Sequence, residues 1–188
     1  AAARAAEELR LLFDEKAPIT LFLDRLTSLT IEQLERDGGS EVRALSRRAK
    51  PLATGSKGRN LRLEEVTVDK RRFLFGQMDV DDALFRESVD ASVRARQPVE
   101  RWRDWSGTPR VSVALPLSPD GRSGNFYAFL PMDRAAPFNG CLDAPFYPYA
   151  IRRDLSLTIP LNDFLLDQIA DLCLAIAETF ADAEETRS

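Results

Sequence analysis

Two runs decide the fold: Val111-Ser112-Val113-Ala114-Leu115-Pro116-Leu117 and Asn125-Phe126-Tyr127-Ala128-Phe129-Leu130-Pro131. The first is apolar and β-branched where it begins, which suits a strand packed into a sheet. Between the runs, Ser118-Pro119-Asp120-Gly121 supplies the residue types that turns require. Each run meets a proline, Pro116 or Pro131, which cannot donate to a strand ladder, so pairing is expected to stop there.

Working outward, residues 61–68 alternate apolar and polar and predict a strand, and 71–75 predict another. Leu21, Leu23, Leu29 and Ile31 also fall at alternate positions, which predicts one long strand over 19–34, kinked near Arg25. Residues 37–40 read as a turn, and 42–49 as the returning hairpin strand. The glycine-bearing stretch 51–60 is expected to be an exposed loop. Three helices complete the pattern. The first covers 2–16, is rich in Ala, Leu, Glu and Arg, and is ended by Pro18. The second covers 79–96, opened by Asp79, Asp81 and Asp82 at the positive end of the helix dipole, with Phe85, Val89 and Val93 on one face. The third is capped by Asn162 and runs to about residue 185, with Leu166, Ile169, Ala170, Cys173, Ile176, Ala177 and Phe180 in its buried stripe. The fold class is therefore α+β, a mixed and mainly antiparallel sheet with flanking helices. Residues 1–17 form a helical link, and 18–188 the domain proper.

Composition narrows the function. The net charge is −4 with 30% charged residues, so there is no basic excess of the kind a nucleic-acid binder shows. Histidine is absent, which removes Ser-His-Asp and Cys-His catalysis and nearly all zinc chemistry from this chain. Cys141 and Cys173 read as free thiols of a reducing compartment. No apolar run approaches the ~20 residues that a membrane-spanning helix needs, and the expected location is cytoplasmic. The chain opens Ala1-Ala2-Ala3-Arg4, without methionine and inside a helical pattern, which predicts a boundary within a longer protein.

Several motifs have plain explanations. Gly55-Ser56-Lys57-Gly58-Arg59 lacks the spacing of a phosphate-binding loop. The basic clusters Arg47-Arg48 with Lys50, and Lys70-Arg71-Arg72, read as solvated charge. Asp79, Asp81 and Asp82 lack the glycine and downstream glutamate of a calcium loop, so no metal site is assigned. The unusual segment is 137–153, stiffened by Pro137, Pro145 and Pro148 and delivering Arg152 and Arg153. Irregular loops held on rigid sheets often carry function. An arginine presented this way can stabilise charge on a transferring phosphoryl group. The plainer alternative pairs both arginines with surface carboxylates such as Asp154.

The motifs Leu115-Pro116-Leu117, 127–131, Leu142-Asp143-Ala144-Pro145-Phe146, Arg152-Arg153-Asp154 and Pro160-Leu161-Asn162 resemble, in order, the region that follows the ATPase domain in sacsin-like proteins. These are GHKL ATPases, relatives of the ninety-kilodalton heat-shock chaperone. Leu21-Phe22-Leu23-Asp24-Arg25-Leu26 resembles the strand that begins this region, and the likeness spans about residues 12–170. It implies a middle or transducer-type α+β coupling domain. Arg152 or Arg153 would sense the nucleotide phosphate in cis, with Asn139, Asp143, Phe146 and Asn162 shaping the loop. The family's Asp-x-Gly-x-Gly turn is missing from this sequence. ATP and Mg²⁺ are thus expected in an upstream domain of the same chain, with a client protein or a second copy as further partners. An alternative from another class is a non-catalytic module that binds protein or peptide through the aromatic loop 137–153.

Overall fold

The computed structural model describes residues 18–34, 40–56, 59–118, 124–148 and 154–185. The helix expected at 2–16 lies outside them. The strands are β1 (Ser28–Leu34), β2 (Ser40–Ser56), β3 (Arg59–Val68), β4 (Arg71–Asp79), β5 (Arg110–Pro116), β6 (Asn125–Ala128), β7 (Leu130–Ala135) and β8 (Cys141–Asp143). The helices are α1 (Asp82–Arg94) and α2 (Pro160–Glu185), with a 3-10 turn at Glu100–Asp104. Among the described residues they build one eight-stranded sheet in the order β1-β2-β3-β4-β5-β8-β6-β7. Neighbouring strands are antiparallel except β6 and β8, which run parallel. The mainly antiparallel α+β class expected from the sequence is the fold observed.

Strand alternation sends two sets of side chains to opposite faces. Leu61, Leu63, Met78, Val111, Val113 and Leu142 meet the helices, where Phe85 and Val89 of α1 and Leu161, Leu165 and Leu172 of α2 complete the main core. Phe73, Phe75, Ala114, Cys141 and Tyr127 point the other way, with Val66 and Val68. This second face is covered by residues 18–26, from which Leu21 and Phe22 pack onto it. The Phe22 ring stands edge-on to Tyr127 at 4.8 Å.

Four local expectations are corrected by the structure. Residues 18–27 are turns, held by bonds from Leu21 N to Pro18 O (3.1 Å), Leu23 N to Thr20 O (3.2 Å) and Leu26 N to Leu23 O (2.9 Å). Alternation mimicked a strand there because Leu21 is buried whereas Leu23 is only half-buried. The supposed loop at 51–60 is largely strand: β2 continues to Ser56, absorbing Pro51 and its neighbours in register shifts at Pro51/Ala53 and Thr54/Ser56. The single strand expected over 125–131 is two, because Phe129 takes φ 66° and reverses the chain so that Ala128 faces Leu130. Pro131 then sits inside β7, an edge strand of the sheet, where proline is tolerated. Finally, Asn162 is not the cap of α2. The helix begins at Pro160, whose fixed φ suits a first helical position.

Candidate functional site

The sequence-predicted residues gather only in part. Arg152 and Arg153 belong to 149–153, outside the described residues. The chain on both sides of that segment is firmly held. Pro148 and Leu155 form an antiparallel bridge. The fully buried Asn162 accepts the Tyr147 N–H (2.8 Å) and donates to the carbonyls of Tyr147 and Ser156 (both 2.9 Å). One side chain therefore ties together the chain entering 149–153 and the chain leaving it. Arg134 donates to Leu155 O at 2.6 Å and to Asp154 Oδ1 at 3.0 Å. The Leu155 N–H and then Arg134 hold the Asp154 carboxyl below the usual carboxylate range. The acid that the sequence offers to Arg152 or Arg153 is thus engaged by Arg134.

Phe146 is buried and stands edge-on to Phe126 at 5.8 Å. Trp102 donates to Pro145 O (2.7 Å) and its ring meets Tyr147 at 5.2 Å. Among the described residues of this loop, Phe146 and Tyr147 thus turn inward, while Phe138 is 39% exposed. Asn139 is exposed.

Asp143 belongs to a second place, which the sequence reading missed. On the sheet face away from the helices, Phe73 and Phe75 give way along β4 to Gln77. Along β5, Ala114 gives way to Ser112. Register aligns Gln77 with Ser112 and Ser112 with Asp143, a polar row across three strands. Gln77 Nε2 donates to Ser112 Oγ at 3.2 Å. Residues 18–26 cover the apolar half of this face and stop short of the polar half. A cleft of about 460 Å³ remains there, within the ~300–1,000 Å³ range of small-molecule sites.

Phe22, Trp105 and Phe129 supply the cleft's aromatic walls. The Phe129 and Trp105 rings stack at 5.9 Å with an 18° interplanar angle, and Phe129 remains 53% exposed. A bulky residue at positive φ is a genuine backbone outlier, and such strain concentrates at functional sites. The Phe129 N–H reaches Asp143 Oδ1 at 3.1 Å. Burial nonetheless raises the Asp143 carboxyl from 3.8 to about 7, against which that hydrogen bond acts in the lowering direction. Other charges in the lining are committed or exposed: Arg110 pairs with Asp79 at 2.9 Å, Asp24 lies 3.8 Å from Arg62, and Arg25 is exposed. The signal that could have found this place is the change from Phe to Gln and from Ala to Ser at matched positions of neighbouring strands.

A third polar group lies beneath residues 21–24. Buried Arg47 donates to Leu21 O (3.2 Å), and buried Glu64 pairs with Arg62 at 2.8 Å. Desolvation draws the Arg47 guanidinium down, with Glu64 opposing. Among the described residues no group of three or more acidic or cysteine side chains could hold a metal ion. No described helix is long and apolar enough to cross a membrane. Comparison with protein families, curated proteins and solved structures finds no match for this chain.

Proposed function

We propose that this chain is a coupling domain of the transducer or middle type in a sacsin-like, chaperone-related ATPase, acting on nucleotide held by an upstream domain of the same protein in the cytoplasm. The observation that supports this reading is the clamp around 149–153. Asn162, the Pro148–Leu155 bridge and Arg134 fix the backbone at both ends of the segment that carries Arg152 and Arg153. An arginine that completes a phosphate site must be held in place before the nucleotide arrives, since catalysis of phosphoryl transfer is mainly positioning and charge stabilisation. Arg134 already pairs with Asp154, the neighbouring acid, at 3.0 Å. ATP and Mg²⁺ belong to the upstream domain in this reading, and a client protein or second copy is its further partner.

The test is ATP turnover by the full protein that contains this chain, wild type against Arg152→Ala/Arg153→Ala. A fall of about 10³-fold with nucleotide binding retained is the expected result, the scale of a lost arginine finger. Unchanged turnover in the double variant would remove the arginines from the chemistry, and a protein that neither binds nor hydrolyses ATP would overturn the reading.

A further inference from the structure

The open half of the sheet face has features that the coupling reading leaves unused. A carboxylate, Asp143, sits in a recess walled by Phe22, Trp105 and Phe129. Among the described residues the hydrogen-bond partner of its side chain is one backbone amide. A half-buried carboxylate without a cation partner is electrostatically unsatisfied, because the surroundings replace water without replacing its solvation. Aromatic ring faces attract the same kind of ligand as the carboxylate, through their quadrupoles. The exposed, strained Phe129 places its ring in this recess while its own N–H anchors Asp143. The two groups are therefore set by one turn.

We propose that this cleft binds a small organic cation, an alkylammonium or guanidinium group carried on a compact apolar body. The charge meets Asp143, the apolar body lies against Trp105 and Phe129, and Gln77 and Ser112 supply hydrogen bonds from the floor. A free small molecule suits the cleft, whose volume of about 460 Å³ falls in the range of small-molecule sites. Asp24, Arg25 and Arg110 are the other charged groups lining it. Asp24 and Arg110 are already neighboured by opposite charges at Arg62 and Asp79. The side chains lining the cleft are different from those of the clamp, Asn162, Arg134 and Leu155.

The experiment is an amide chemical-shift titration of the 188-residue chain with benzylammonium, its neutral counterpart benzyl alcohol, and the peptide Gly-Lys-Gly. The expected result is that benzylammonium shifts the amides of Phe129, Asp143 and Ala144 and binds about tenfold or more tightly than benzyl alcohol. That preference should grow as pH rises through about 7, where Asp143 ionises. Asp143→Asn retains an acceptor for the Phe129 N–H and should abolish the preference. Should that variant fail to fold, Phe129→Gly, which removes one aromatic wall, should weaken benzylammonium binding while leaving the pH trend. Equal binding of benzyl alcohol, an absence of shifts in the cleft, or binding of the peptide in preference to benzylammonium would each overturn the proposal.

Discussion

The Ser92 hydroxyl in α1 accepts the backbone N–H of Leu161, in the first turn of α2, at 2.9 Å. The same hydroxyl donates to Ser88 O at 2.8 Å, and both serines are buried. The first amides of a helix have no partner within it, and here one is satisfied by the other helix. Ser92→Ala should therefore cost about 1–3 kcal/mol, the penalty of a buried donor left unpaired. Ser92→Thr keeps the oxygen and tests whether the added methyl fits. Urea unfolding of the three proteins measures both effects.

Asn162→Ala should destabilise by about 2–4 kcal/mol, because it strands one buried N–H and two carbonyls together. Asn162→Asp can still accept from Tyr147 N, yet it sets a carboxylate against the carbonyls of Tyr147 and Ser156. It should be no better than alanine at neutral pH. Equilibrium denaturation separates these outcomes, and hydrogen exchange at Tyr147 reports the local loss.

Stability should depend on pH through Asp143. Its folded carboxyl titrates at about 7 against an ordinary 3.8, so between those values the folded state holds a proton that the unfolded state has released. Stability from this group is full below the ordinary value, falls as pH rises, and levels off above about 7. Three units convert to about 4 kcal/mol, and partial solvent screening of this half-buried side chain reduces the expected fall to about 2–3 kcal/mol. Asp143→Asn should remove that slope and be the more stable protein at pH 8. Denaturant midpoints at pH 4, 6 and 8 decide it.

At Gly76 in β4 an added Cβ would meet Ile176 Cδ1 at 2.5 Å and Cγ1 at 3.2 Å. Gly76→Ala should cost about 1–3 kcal/mol through overpacking between sheet and α2. Pairing it with Ile176→Val should recover part of that loss, a non-additivity expected of side chains in contact. Thermal unfolding of the single and double variants supplies the comparison.

Phe129→Gly should leave stability within about 1 kcal/mol of wild type, unlike an ordinary loss of a large aromatic residue. Relief of a left-handed backbone at a non-glycine residue gains about 1 kcal/mol, which offsets the lost stacking on Trp105 of similar size. A markedly less stable variant in calorimetry would mean that the ring, and not the turn, dominates this position.

The sheet was legible where alternation and burial coincide, as in 61–68 and 71–75, and at 111–116 from an apolar, β-branched run that is buried on both faces. The long C-terminal helix was legible as an element, but its buried stripe was read one step round: Ile169 and Ile176 are buried as expected, Ala170, Ala177 and Phe180 are exposed, and Leu165 and Leu172 face the core instead. Phe85, Val89 and Val93 marked one face of α1. Alternation misled at 19–26, where successive turns bury Leu21 by wrapping and not by pleating. Glycine and proline misled at 51–60, because bulges let β2 carry them. Phe129 hid a chain reversal, since nothing about phenylalanine announces a positive φ. The cleft was hidden for another reason: Gln77, Ser112 and Asp143 are 31 or more residues apart in neighbouring pairs and meet only through strand register. Asn162 was visible as a residue of interest, but its grip on Tyr147 and Ser156 depends on where α2 begins.

The strand order has a consequence for how the molecule is assembled in time. β6 and β7 join the rest of the sheet through β8, three residues long and the last strand among the described residues. During synthesis from the N-terminus, β1 to β5 can pair as a meander of neighbours while the 125–135 hairpin waits beside them. Only when 141–143 arrive can that hairpin be locked against β5. A seam inside the finished sheet, two strands from its β7 edge, is thus the last to close, and a ribosome stalled before Cys141 would hold an open β5 edge.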